Sequence, residues 1–339
     1  MSSDRKKVFV TRGLPGRALE RLARSVDSSV WPGPGAPPPD VLRERVADCE
    51  GLLCLLTDRV DAELIAAAPA LRVISSCSVG VNHIDLDAAT RRRLPVGYTP
   101  GVLVETTADL AFALLLAAAR RVVEADRFVR EGQWTPERSW EPDMLLGRDL
   151  HGATLGLVGL GSIGQAVARR ARGFGMRVLG WTRSGRPVEG VEAAPLDRVL
   201  SESDFVSLHV AATAETRHLI DAAALARMTR GAILVNTARG EIVDEAALAS
   251  ALADGHLAGA ALDVFEREPL SPDSPLLGLP NVVLAPHIGS ASIATRSRMA
   301  DLAVDNLLAG LEGRPLAHCA NAGALARSGP GTLGQEAPG

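Results

Sequence analysis

Short apolar runs that alternate with helical patterns, in two successive series, constrain this chain more than any other feature. The first series reads "VFVT" (8–11), "GLLCLL" (51–56), "LRVISS" (71–76) and "PVGYT" (95–99). The second reads "TLGLVGL", "MRVLGW", "DFVSLHV", "AILVNTA", "AGAALDV" and "NVVLAP". Most of these runs lack strict polar alternation, so each predicts a strand covered on both faces, with the intervening helices as the cover. Strands alternating with helices in this way form βαβ units and a parallel sheet. The expected fold class is α/β, with two doubly wound parallel-sheet domains.

The second series opens on "LVGLGSIG". Gly159, Gly161 and Gly164 satisfy G-x-G-x-x-G directly after a buried strand, and "IGQAVARRARGFG" continues as an amphipathic helix. Glycines in that place permit a tight turn, close approach of a pyrophosphate and helix-to-strand packing. The free N–H groups of Ser162, Ile163 and Gly164 would then bind the anion. The next strand ends in "TRSGR", where dinucleotide domains selective for NAD place an acidic residue on the ribose hydroxyls. Here stand Thr182, Arg183, Ser184 and Arg186. A carboxylate would repel a 2′-phosphate, whereas a guanidinium and two hydroxyls bind one, so NADPH is expected over NADH, with NADH use possible.

About 150 residues precede that loop because a complete first domain comes before it, and 339 residues suit roughly two domains of about 150 each. Between the two series, residues 105 to about 130 hold no Gly or Pro and predict one long helix. A last helical stretch follows at 292–311 and leads back to the first domain. The expected boundaries are 1–100 and 290–318 for a discontinuous substrate domain, 101–289 for a Rossmann dinucleotide-binding domain, and 319–339 for a disordered tail of Gly, Ala, Pro and Ser. The substrate is expected in the cleft between the two domains.

Three strands of the second series end in chemistry, and open α/β sheets gather ligands at strand ends. "ILVNTARGEIVD" offers Arg239, "ALDVFEREPL" offers Asp263 and Glu268, and "VVLAPHIGSA" offers His287. An imidazole beside a carboxylate is favoured in its charged form and donates a proton to a carbonyl. An arginine fork suits the carboxylate and developing oxyanion of a 2-keto acid. His209 also ends a strand and is the second candidate for the acid. His83, His151, His218, His256 and His318 fall in loops or polar helix patterns and are expected to face solvent.

"GLVGLGSIGQAVA", "ILVNTARGEIVDEAAL", "AALDVFEREPL" and "NVVLAPHIGSA", in this order and spacing, resemble the D-isomer-specific 2-hydroxyacid dehydrogenases over about residues 8–316. The resemblance implies a catalytic trio of Arg239 as substrate clamp, Glu268 as carboxylate partner and His287 as acid. It also implies a flavodoxin-like substrate domain and a homodimer built largely through the cofactor domains. The amino half, through "GLLCLLTDRVD", "VISSCSVGVNHIDL", "VGYTPGVLVETTADLAFALLL" and "VREGQWT", is most similar to glyoxylate/hydroxypyruvate reductases. That similarity places the backbone of Val79 and Gly80 on the substrate carboxylate and Leu55 on the far wall of the pocket. Thr107 would face the nicotinamide, with Asp263 at its carboxamide and Ala238 among the cofactor contacts. Arg93 stands where these relatives hold a left-handed Gly, and Ala211 where most hold Pro. The segment 134–145 gathers Trp134 and Trp140, either as a dimer contact or packed in a core.

The expected activity is therefore an NADPH-preferring reduction of glyoxylate to glycolate and of hydroxypyruvate to D-glycerate. A relative acting on 2-ketogluconate, phosphite or formate is the alternative within the family. Val79 stands where phosphite-oxidising relatives place Lys, and the extra Asn and Gln contacts of formate-oxidising ones are missing. A dinucleotide-sensing corepressor on the same fold is the alternative outside catalysis; long tails and NAD preference would suit it, whereas this tail is short and this ribose loop basic. A net charge of −4 argues against a nucleic-acid partner, and 110–119, the longest uncharged apolar run, is about half of a membrane span. Cys49, Cys54, Cys77 and Cys319 form no metal or disulfide spacing and no signal-peptide core is evident, so no metal and a cytoplasmic, reducing location are expected.

Overall fold

Residues 5–327 are described by the computed structural model. One compact unit holds the chain up to Leu103 and again from Ala291; the other is Val104–Ser290. Each is a doubly wound α/β layer structure on its own parallel sheet.

In the first unit the apolar runs become β1 (Lys7–Val10), β3 (Gly51–Cys54), β4 (Val73–Ser76) and β5 (Val96–Gly97), joined by β2 (Asp27–Val30). Their order, β2-β1-β3-β4-β5, is the flavodoxin-like one. Strands β3 and β4 are buried at every position, which is why their sequences do not alternate. One face packs under the helix Ile293–Leu311, whose Ala300, Ala303, Val304 and Leu307 meet Val8, Val10, Leu53 and Val73. Ser292 starts that helix by accepting the N–H of Thr295 at 3.1 Å. Strand β2, "DSSV", has no apolar run because it is a mostly exposed edge strand. Arg93 sits at φ 54°, so the left-handed turn is kept with a side chain in it, at a cost of roughly 1–2 kcal/mol.

The expectation of a disordered tail from 319 fails for its first part. The Ala320 N–H donates to the Val96 carbonyl at 2.7 Å. Buried Asn321 accepts from the Val96 N–H and donates to the Leu94 carbonyl at 2.9 Å. One asparagine side chain thus satisfies strand-edge groups that small, polar composition does not reveal, and the helix Ala322–Arg327 follows. Residues 328–339 of that expected tail lie outside the described residues.

The second unit contains β6 (Thr154–Val158), β7 (Arg177–Trp181), β8 (Glu192–Ala193), β9 (Phe205–Leu208), β10 (Ile233–Asn236), β11 (Gly259–Leu262) and β12 (Val282–Leu284). The order is β12-β11-β10-β9-β6-β7-β8, a Rossmann arrangement whose direction reverses between β6 and β9. Only the exposed, two-residue β8 carries no apolar signal. The single long helix expected from 105 to 130 is two, Val104–Ala119 and Val122–Arg130. The break needs neither Gly nor Pro. Arg121 turns left-handed at φ 53° with its guanidinium on Glu124, and the carbonyl of Ala119 accepts the Arg148 N–H at 2.8 Å. The first helix buries seven residues and the second none, so the packing that would carry the helix onward stops at the break.

Among the described residues no helix is long and apolar enough to cross a membrane, and no cluster of three or more His, Cys, Asp or Glu is placed to hold a metal. The four cysteines are free. Burial pushes the Cys49 thiol up to about 11, so it stays protonated at neutral pH.

Candidate active site

The glycine loop lies at the carboxyl end of β6, on the side where the sheet reverses. Gly159 has φ 103°, and a Cβ there would come within 2.6 Å of the His209 carbonyl. A Cβ on Gly164 would overlap the carbonyl of Gly159. These two glycines therefore serve packing of the chain on itself. At Gly161 an added Cβ would meet nothing within 4 Å, so the space in front of it is open. The helix Ser162–Gly173 starts there without a side-chain cap, and Gln165 makes the first backward bond, to the Gly161 carbonyl at 2.9 Å. The N–H groups of Ser162, Ile163 and Gly164 precede that bond. Uncapped helix N–H groups before open space fit the pyrophosphate of a dinucleotide.

At the end of β7 the loop turns through a Gly185 N–H bond to the Thr182 carbonyl at 3.1 Å, bringing the Thr182 and Ser184 hydroxyls within 3.3 Å of each other. Arg183 and Arg186 are exposed, and among the described residues neither forms an ion pair. Two hydroxyls and the exposed guanidinium of Arg183, whose charge also acts on Glu215, are a donor set that suits a ribose phosphate.

Arg239, Glu268 and His287 follow β10, β11 and β12, which are consecutive neighbours in the sheet. His287 Nδ1 donates to Glu268 Oε2 at 2.6 Å, and Glu268 Oε1 accepts the Phe265 N–H at 3.1 Å. Both carboxylate oxygens are thereby used, and Nε2 is left as the imidazole atom that gives or takes a proton. Burial works against the Glu268 charge, but His287, the Phe265 N–H and Arg239 outweigh it and hold the carboxyl below its ordinary range. The half-buried Arg239 sends a guanidinium nitrogen to the Ala238 carbonyl at 2.6 Å. Burial lowers its pKa, with the Glu268 and Glu241 charges opposing.

His287 itself has φ 54°, a left-handed conformation costly for a side chain of this size. Asp263 holds it there. Its carbonyl accepts the His287 N–H at 2.9 Å, and its carboxylate accepts the N–H groups of Ile288 at 2.7 Å and Gly289 at 2.8 Å. Burial pushes the Asp263 carboxyl up, with the Ile288 N–H, the His287 charge and the Gly289 N–H pulling it back. Buried Thr107 donates from Oγ1 to the Gly289 carbonyl at 3.1 Å. Asp263 and Thr107, expected at the nicotinamide, thus also secure the turn that carries His287. Sequence reasoning missed this because a carboxylate bonded to backbone N–H groups 25 and 26 residues away leaves no local pattern.

His209 is not placed to compete for the acid role. It packs against Gly159 and Gly164, bonds Ser207 Oγ at 2.9 Å, and burial pushes its imidazole down to about 4. Of the five histidines expected in solvent, only His151 is exposed. His83 lies 3.1 Å from Ser76 Oγ, His218 is paired with Glu266, His256 is on the Leu225 carbonyl and His318 is against Tyr98.

In the first unit Val79 and Gly80, expected at the substrate, follow β4. Ser78 Oγ donates to the Gly80 carbonyl at 2.7 Å, and among the described residues the N–H groups of Val79 and Gly80 make no hydrogen bond. Adjacent N–H groups without an acceptor in the protein are available to an anion. Leu55 follows β3, its N–H held by Asp58 at 2.7 Å.

Residues 112–289 match the family model of the D-isomer specific 2-hydroxyacid dehydrogenase NAD-binding domain. A glyoxylate reductase of Korarchaeum cryptofilum is 55% identical over 307 residues, covering 89% of this chain and 92% of that one. A glyoxylate reductase of Thermococcus litoralis is 48% identical, covering 96% and 99%. Among solved structures, a Thermus thermophilus protein superposes with TM-score 0.89 at 52% identity, over 93% of this chain and 99% of that one. An NADPH-dependent glyoxylate/hydroxypyruvate reductase of Sinorhizobium meliloti, in complex with NADP and malonate, superposes with TM-score 0.83 at 35% identity, over 93% and 97%.

Proposed function

The chain belongs to the D-isomer specific 2-hydroxyacid dehydrogenase family, and from that premise we propose that it is a cytoplasmic, NADPH-preferring reductase of glyoxylate and hydroxypyruvate. The observation that carries the reading is the His287–Glu268 pair, 2.6 Å apart, on the strand ends beside Arg239 in the unit that holds the glycine loop. A bound reduced nicotinamide would supply the hydride. His287 Nε2 gives the proton to the keto oxygen, and the Glu268 carboxylate, negatively charged beside the imidazolium, stabilises it until it does. Arg239 binds the substrate carboxylate and steadies negative charge as it develops on the keto oxygen. In the first unit, the N–H groups of Val79 and Gly80 are assigned to the carboxylate and Leu55 to the wall of the site. The uncapped N–H groups at 162–164 would hold the pyrophosphate, Thr182, Arg183 and Ser184 the 2′-phosphate, and Thr107, Ala238 and Asp263 the nicotinamide end.

Cofactor preference is read with Arg183→Ala. Loss of one charge-assisted contact raises KM and Kd for NADPH by about tenfold and leaves those for NADH within about twofold. Equal effects on the two cofactors, or no oxidation of NADPH by either keto acid in the parent enzyme, contradict the assignment.

The chain is further assigned as a homodimer. Val122, Val123, Val129, Trp134, Trp140 and Leu146 all stand exposed within one stretch of the second unit. The two tryptophans, 57% and 77% exposed, are therefore not core residues. Apolar side chains in that density are what a partner chain covers. Sedimentation equilibrium at micromolar concentration should return twice the chain mass; a single-chain mass removes the assignment.

A further inference from the structure

We propose that Asn236 is a positioning residue for Arg239, aiming the guanidinium by closing the backbone turn on which it rides. The inference rests on the assignment of Arg239 as the keto-acid clamp. Asn236 is the last residue of β10, between β9 and β11, and is 1% exposed. Its side chain works in both directions. Oδ1 accepts the N–H of Ala238 at 3.0 Å, and Nδ2 donates to the carbonyl of Arg239 at 2.9 Å. Arg239 leaves the turn in an extended conformation, φ −148° and ψ 144°. On its far side stands Gly240, where an added Cβ would overlap the carbonyl of Phe265. The N–H of that same Phe265 holds Glu268.

The turn is therefore fixed at one end by an amide and at the other by backbone contact with the segment that carries the catalytic carboxylate. The guanidinium is tied to that same turn, through the Ala238 carbonyl at 2.6 Å, and feels the charges of Glu268 and Glu241. Among the described residues Arg239 forms no ion pair, and its side chain bonds only the preceding carbonyl. The turn that Asn236 closes therefore sets both the backbone of Arg239 and the carbonyl on which its guanidinium rests. Few residues meet the requirement at 236. Aspartate keeps the acceptor and loses the donor, leucine leaves both backbone groups unpaired, and serine is too short to bridge them.

A double-mutant cycle tests this in the intact enzyme. Arg239→Ala raises KM for glyoxylate by about 30-fold or more, and Asn236→Ala raises it by about tenfold with kcat lowered less than about threefold and NADPH Kd within about twofold. In the Arg239→Ala background, Asn236→Ala then changes kcat/KM by less than about twofold, because nothing remains to be aimed. Additive losses, or loss of NADPH binding in both Asn236→Ala and Asn236→Asp, would make Asn236 a residue of general structure and overturn the proposal. An Arg239→Ala enzyme with unchanged KM and kcat would instead remove the clamp assignment, a result distinct from a silent Asn236→Ala beside an impaired Arg239→Ala.

Discussion

His287→Ala lowers kcat for keto-acid reduction by at least about 100-fold, about 2.7 kcal/mol of barrier, the scale on which a general acid acts. The geometry makes this residue hard to replace. Nδ1 is committed to Glu268 at 2.6 Å, so Nε2 alone remains for the substrate, and the turn is locked by three backbone N–H bonds to Asp263. Water reaching the vacated space would be neither charged nor held in one orientation. Dinucleotide affinity should stay within about threefold, because the glycine loop lies at the end of a different strand, β6, and contributes its N–H groups independently. A loss below about tenfold with binding intact would assign the proton to another group.

Glu268→Gln has the second largest effect, about 10- to 100-fold in kcat/KM at neutral pH. The isosteric amide cannot do both tasks of the carboxylate. Oε1 accepts the Phe265 N–H and Oε2 accepts Nδ1–H of His287. Glutamine offers one acceptor and one donor, so one of those two N–H groups faces an NH2. The substitution also removes the negative charge that stabilises the imidazolium. The wild-type carboxyl is held below its ordinary range, despite burial, by His287, the Phe265 N–H and Arg239, so it is ionised where the reaction runs. Only as pH falls through that depressed value does the carboxylate become protonated and its charge beside His287 disappear.

Much of this site was legible in the sequence because its residues follow buried strands. Arg239, Glu268 and His287 each come a few residues after an apolar run, and a parallel sheet delivers such positions to one edge. The glycine loop was legible for the same reason, being a strand, a turn and a helix in immediate succession. His209 met the same criterion, since it too ends a strand, and its packing against Gly159 and Gly164 and its bond to Ser207 in place of a carboxylate separate it from His287. The edge strands β2 and β8 were illegible because exposed strands need no apolar run. The break at Arg121 and the docking of 319–321 escaped notice because both depend on partners distant in sequence, the Arg148 N–H and the edge of β5. Asn236 and the bonds of Asp263 to the turn at His287 escaped for a related reason. Polar side chains that bond backbone amides leave no periodicity, and the turns they hold are visible only in the fold.

The pH dependence of kcat/KM for glyoxylate, measured side by side for the parent enzyme and Glu268→Gln, tests the proton-donating pair most directly. Glu268 is held below the ordinary carboxylate range, so the parent rate should hold as pH falls into that range and drop only below it. Without the carboxylate that acid-side fall should be absent and the rate lower throughout, with NADPH binding retained. Superimposable profiles would mean that Glu268 does not support the charge on His287, and the catalytic account would be wrong at its centre.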